Sequence, residues 1–412
     1  MKPMLGWAGL SRSALKRAEA QLVADTEGVR DEVGVLALHT AYANRFFPGT
    51  SVQQTRLRYA LFVPWQIKML LGGPERVHSG QACRALKHAE LNPSKRLPDV
   101  DGEGTIGRRM ARADRSVAIP PSQSYWVALQ AWGILCTGPG GYAASRSQLF
   151  DHWEDWSERR RGRPATDDEG CILEARLQLL HPDLPKPPIE FNRDMQLDFT
   201  LRDKERDFLR TRLLDTRRPG DGQPSLLSTL VRSQVDIRNG VVPWSKSVVQ
   251  NVDAADQNAL RRARDAAALA ACTRAVYAAA VEMLRQSKDD VSVGDRHRDH
   301  LAKIVYKYSR AAQRLCLADL PLDGVMVGGL SPVLEVIQKW LSRGDRNPLE
   351  ETVLTTLTRW ELKRKGSRRA KLPQSAHGRE ARAAWKADKA PLAIPIEYRW
   401  SLVCRFLRDL QG

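Results

Sequence analysis

The chain has 412 residues, 42% of them apolar and 27% charged, which is enough to bury sizeable cores and too apolar for a disordered polymer. Lysine and arginine number 65 against 48 aspartate and glutamate, and this formal charge of +17 biases the surface towards polyanions, nucleic acid above all. The six cysteines (Cys83, Cys136, Cys171, Cys272, Cys316 and Cys404) form no CxxC pair. That spacing indicates neither a zinc ribbon nor a redox dithiol, and the thiols read as reduced residues of a cytoplasmic protein.

In chain order, MKPMLGWAGLSRSALKRAEA has no continuous apolar run and does not read as a secretory leader. Residues 11–25 carry Leu15, Ala18 and Leu22 on one face, with Ser11 or Ser13 able to cap, which predicts a helix. In the stretch NRFFPGTSVQQTRLRYALFVPW (44–65), Pro48-Gly49 is a turn. Ser51 and Gln54 have capping-box spacing, and a helix is expected from Val52 to about Val63, ending before Pro64. Further helices are expected at 124–136, 145–160, 200–214 and 225–236, then over 255–286, an alanine-rich run free of Gly and Pro. That run is broken as a membrane span by Arg274, so no membrane partner is expected. The last helices are expected at 299–317, 331–342, 349–363, 378–387 and 396–410, while GVVPW (240–244), the best strand candidate, is interrupted by proline.

The expected fold is mainly α: a multi-helix protein with two or three helical subdomains and few strands. A basic and proline-rich connector over 159–190 would separate an N-terminal helical domain (1–158) from a C-terminal one (191–412).

Several clusters invite a chemical reading. Arg56 and Arg58 enter an apolar run beside a helix start. Either they grip an anion, or each pairs with a carboxylate such as Asp31 or Glu32 while its stem packs on aromatics. The segment RWELKRKGSRRAKL (359–372) straddles Gly366, and Lys363, Arg364, Lys365, Arg368, Arg369 and Lys371 would neutralise phosphates without reading sequence. Arg160-Arg161-Gly162-Arg163-Pro164 is similar to the Arg-Gly-Arg-Pro core of a minor-groove hook, without the proline that normally precedes its first arginine. His297 and His300, with Asp299 between them, have helical metal-ligand spacing but no third ligand, so no metal or other cofactor is expected.

No phosphate loop, H-E-x-x-H or G-x-S-x-G elbow is present, and no catalytic residue is assigned. The expected function is therefore a non-enzymatic accessory subunit that binds nucleic acid, DNA before RNA, or a DNA-bound partner. One alternative is a nuclease or other hydrolase built on Asp31, Glu32, Gln54 and Arg56. Another is a scaffold whose positive charge meets an acidic protein.

Gly6-Trp7, Leu10-Ser11, Asp31-Glu32-x-Gly34, the run Phe47-Pro48-Gly49-Thr50-Ser51-x-x-Gln54-Thr55-Arg56-x-Arg58-Tyr59 and Val63-Pro64-Trp65 together resemble bacterial domain-of-unknown-function family 6361. The likeness continues through Gly104-Thr105-Ile106-Gly107, Tyr125-Trp126, Trp132-Gly133-Ile134, the 199–214 segment with Ser225-Leu226-Leu227, Lys365-Gly366 and Tyr398-Arg399-Trp400. The resemblance implies a setting in phage defence, with a helicase or a phospholipase-D-like protein as partners. It implies no activity and gives no residue a catalytic role.

Overall fold

The computed structural model describes residues 31–98, 104–115, 117–137, 142–161, 178–193, 195–237, 240–344 and 346–412. The helix expected at 11–25 lies outside them. The described residues form helices joined by turns, with isolated bridges such as Leu135 to Leu180 and no strand, so the protein is mainly α. The chain divides into two units, each assembled from discontinuous stretches. One comprises Met1–Ala41 with Arg261–Ile396, and the other Tyr42–Leu260 with Glu397–Gly412.

The larger unit is organised around the helix Tyr59–Gly72. Almost every residue from Tyr59 to Ile67 is buried, so this helix has no polar face and its apolar run has no helical period to read. The expected helix over 52–63 is corrected at both ends. Residues 51–58 are turns and irregular chain, and the helix begins at Tyr59 and continues through Pro64 to Gly72. An internal proline costs a helix about 3 kcal/mol, and packing on every side of the segment offsets it. Tyr59, Phe62 and Trp65 follow one another at ring-centroid separations of 5.6 and 6.0 Å, and Phe191 sits against both Phe62 (5.5 Å) and Trp65 (5.0 Å). The helices Pro121–Ala131, Asp203–Leu214, Leu226–Ser233 and Trp400–Gln411 complete this unit's core.

The alanine-rich segment forms part of a single helix, Ala254–Lys288, of 35 residues, which belongs to the other unit from Arg261 onward. At 1.5 Å per residue it is roughly 50 Å long. By length and composition it would cross a membrane, but its apolar window is 83% buried inside the protein. Ala263, Ala266, Ala267, Ala270 and Ala271 are fully buried, and small side chains of this kind let neighbouring helices approach closely. Around it stand Arg296–Arg314, Ser331–Leu341 and Glu351–Lys365, which contribute Leu301, Ile304, Leu334, Ile337, Trp340, Val353 and Leu357 to the core.

Candidate functional site

The PGTS turn explains its own glycine. Gly49 has φ +80°, and a Cβ there would lie 2.7 Å from Trp132 Nε1 and 2.9 Å from Ala131 Cβ. The Trp132 indole instead donates to the Pro48 carbonyl at 3.0 Å. The polar side chains that follow are spent on backbone. Gln54 accepts from Ser51 N–H (3.0 Å) and donates to the carbonyls of Gly49 (2.9 Å) and Ser124 (3.2 Å). Half of the expected capping box is thus present, and it closes a turn rather than opening a helix. Tyr125 Oη accepts from Thr55 N–H (2.9 Å) and Arg56 N–H (3.0 Å) and donates to Arg56 O (2.7 Å). Thr55 Oγ1 donates to Gly104 O at 2.5 Å, and Ile106 N–H to Tyr59 Oη at 2.8 Å. Motifs far apart in sequence therefore meet in one hydrogen-bonded corner.

Both arginines of the motif are structural partners within this corner. Arg58 is 3% exposed. Its Nε and Nη2 donate to the two carboxylate oxygens of Glu205 at 2.9 Å each, and Nη1 donates to Asp198 Oδ1 at 2.8 Å. Arg56 donates through Nε to Asp409 Oδ1 (2.9 Å), and its guanidinium carbon lies 4.7 Å from the centre of the Phe199 ring. The pairing with carboxylates holds, but the carboxylates are Glu205, Asp198 and Asp409, not Asp31 or Glu32. A surface groove of about 340 Å³ is bordered by Arg56, Phe199, Leu201, Arg408 and Asp409. Arg56 reaches that groove already committed to Asp409.

Asp31 and Glu32 serve the other unit. Asp31 caps the start of the helix Leu36–Phe46, accepting from Gly34 N–H (2.7 Å), Val35 N–H (3.0 Å) and Leu36 N–H (3.2 Å). Gly34 has φ +92°, and a Cβ on it would lie 2.9 Å from Arg364 Nε, so Arg364 can fold over this turn and reach Asp31 Oδ2 at 3.3 Å. Glu32 takes Lys371 Nζ at 2.7 Å on one oxygen and Lys365 Nζ on the other. Lys365 also reaches Glu361 Oε1 (2.8 Å), which accepts from Tyr277 Oη (2.5 Å), while Glu361 Oε2 accepts from the N–H groups of Lys371 (3.0 Å) and Leu372 (2.9 Å).

Burial raises the Glu32 carboxyl, but Lys365 and Lys371 outweigh it and hold the group below the usual carboxylate range. Burial pulls the Lys371 ammonium down, with Glu32 acting against that pull. Burial and the two neighbouring carboxylates push the Tyr277 hydroxyl well up. All these groups are paired with one another. Asp31 and Glu32 thus partner one set of residues and Gln54 and Arg56 another.

The basic segment accordingly splits in two. Arg364, Lys365 and Lys371 face inward onto carboxylates, whereas Lys363, Arg368 and Arg369 are exposed. Among the described residues no carboxylate pairs with those three; Arg369 Nε donates to the Lys365 carbonyl at 3.1 Å. Arg160 and Arg161 close the helix Trp153–Arg161, and Arg163 lies outside the described residues.

His297 and His300 each approach a backbone carbonyl through Nε2, of Ala387 (3.1 Å) and Ala393 (2.7 Å) respectively. The N–H groups of His297 and Arg298 are capped by the buried Glu282 carboxylate. Among the described residues no group of three His, Cys, Asp or Glu side chains is placed to hold a metal ion.

Sequence reasoning missed four working residues. Glu361 was signalled by its i,i+4 relation to Lys365. Glu205 and Asp409 lie 147 and 353 residues from the arginines they hold, and nothing local marks them. The fourth, Arg399, has φ +64°, follows Tyr398 at φ +53°, and donates to Thr50 O at 2.5 Å and Asn44 Oδ1 at 2.9 Å. Burial pulls its guanidinium down to about 10.

These features define a mainly helical protein whose most unusual polar clusters are internal ties, with Lys363, Arg368 and Arg369 exposed beside one of them. The profile of a family of unknown function, DUF6361, matches residues 3–326, and the chain belongs to that family. Lys365-Gly366 and Tyr398-Arg399-Trp400 lie beyond the matched stretch. No curated protein and no solved structure matches the chain.

Proposed function

We propose that this protein is a non-catalytic, cytoplasmic subunit that binds nucleic acid, DNA in preference to RNA, within a bacterial defence assembly containing a helicase or a phospholipase-D-like protein. One observation carries the reading. The carboxylates nearest the basic segment are already consumed by Arg364, Lys365 and Lys371, which leaves Lys363, Arg368 and Arg369 to present a net positive tip at the end of the helix Glu351–Lys365. Such a tip neutralises phosphates and releases counterions, giving affinity without sequence readout.

The test is fluorescence anisotropy with labelled duplex DNA across a salt series, comparing wild type with the variant K363Q/R368Q/R369Q. Each lost phosphate contact should flatten the slope of log K against log salt by about 0.9, so the variant should lose roughly 2 to 3. Arg364 and Lys365 are left intact because neutralising them would strand Asp31 and Glu32. An unchanged slope would remove this tip as the contact. Binding to an acidic protein that survives nuclease treatment, with no affinity for DNA, would replace the reading with the scaffold.

A further inference from the structure

The helix Arg296–Arg314 has two faces of opposite character. Leu301, Ile304, Val305 and Ala312 are buried, as i,i+3,i+4 spacing requires of a core-facing side. On the other side Lys303, Tyr306, Lys307, Arg310 and Arg314 are all exposed. From Leu301 to Arg314 the sequence contains no Asp or Glu, and the helix's one acid, Asp299, stands exposed a turn before Lys303, at the near end of the stripe. Of its cations Arg314 reaches a carboxylate, Asp265 Oδ1 at 3.2 Å, while its side chain stays 55% exposed.

Tyr306 sits in the middle of the stripe and is 93% exposed. A tyrosine ring packs well on almost any apolar neighbour, yet this one stands clear of the protein with both ring faces open. One turn on each side of it lie Lys303 and Arg310. Lys307 is steered along the helix by Tyr308, whose ring centre is 5.3 Å from its Nζ. Lys303 and Arg310 are seven residues apart, roughly 10 Å along the axis, with Tyr306 between them.

Resting on the reading of the protein as nucleic-acid-binding, we infer that this stripe is a docking surface for single-stranded DNA. Phosphates run along Lys303, Lys307, Arg310 and Arg314, and an unpaired base stacks on Tyr306. Cations alone would suit a duplex equally well. The exposed ring among them selects a strand whose bases are free to stack.

The test uses the full-length protein and labelled oligothymidylate in anisotropy titrations, with a duplex of the same length and oligouridylate in parallel. Y306A should weaken oligothymidylate binding at least about fivefold, with Y306W restoring it, because base stacking on an aromatic is worth that much. Duplex affinity should change little. K303Q/K307Q/R310Q should flatten the single-strand salt slope by roughly 2, at about 0.7 per contact. Photo-crosslinking to 5-iododeoxyuridine should fall on the Tyr306 peptide.

A wild type that binds no nucleic acid overturns the proposed function and this surface together. A wild type that binds duplex through Lys363, Arg368 and Arg369 while Y306A and K303Q/K307Q/R310Q hold oligothymidylate unchanged overturns the surface alone. Tighter binding of oligouridylate than of oligothymidylate overturns the assignment to DNA.

Discussion

Replacing Arg58 with methionine isolates what a buried arginine does in this fold. Methionine keeps most of the apolar volume against Phe62, whose ring centre lies 5.5 Å from the guanidinium carbon, and removes only the charge and the donors. Its two acidic partners then fare differently. The side chain of Asp198 is 64% exposed and rehydrates, so its share of the loss is below about 1 kcal/mol. The side chain of Glu205 is 3% exposed and keeps only the Arg202 N–H, at 3.3 Å. An ionised carboxylate stranded in that way costs about 3–5 kcal/mol. Urea unfolding followed by tryptophan fluorescence should therefore show R58M destabilised by roughly that amount, with D198N nearly neutral. The double variant R58M/E205Q should recover at least about 2 kcal/mol, since no charge remains to strand. A loss below about 1 kcal/mol for R58M, or a double variant no more stable than the single, would refute the reasoning.

Two other substitutions probe the same unit. Gly49→Ala places a Cβ 2.7 Å from Trp132 Nε1 at a positive φ, and should cost about 2–4 kcal/mol in thermal unfolding with a changed near-ultraviolet tryptophan signal. Glu90 is buried, and burial pushes its carboxyl up to about 7 from 4.5, with Ser122 N–H and Oγ acting against the rise. A carboxyl raised in the folded state contributes stability that is fully present below about 4.5 and lost as pH rises through about 7. Between pH 5 and 8 the wild type should therefore lose up to ~3 kcal/mol that Glu90→Gln retains, read as a flatter dependence of melting temperature on pH. Equal pH slopes for the two proteins would remove Glu90 as the source.

Helices with a polar side were legible in the sequence. The spans 331–342 and 349–363 fall close to the observed Ser331–Leu341 and Glu351–Lys365 because their apolar residues recur at helical spacing. The helix Tyr59–Gly72 was mislaid for the opposite reason: a segment buried on all sides has no period, and proline looks like an end when only local cost is counted. The need of Arg56 and Arg58 for carboxylates was also legible, since a buried cation demands one. Which carboxylates was not, because pairing is settled by tertiary packing, and Asp31 and Glu32, the nearest acids upstream, were claimed by Arg364, Lys365 and Lys371. The basic segment showed its composition but not its division. Lys371 looks like Arg369 on paper, and only the fold buries one and leaves the other exposed.

The long-range ties also set a timetable for synthesis. Asp31 and Arg364 are separated by 333 residues, and Arg56 and Asp409 by 353. At about 5–20 residues per second a ribosome needs roughly 15–70 seconds to deliver the second member of each pair. Throughout that interval Glu32 has emerged without its lysines and Arg56 without its aspartate. Neither corner can close until its distal member has been made, so a transcript truncated before the Asp409 codon yields a product lacking the Arg56–Asp409 tie.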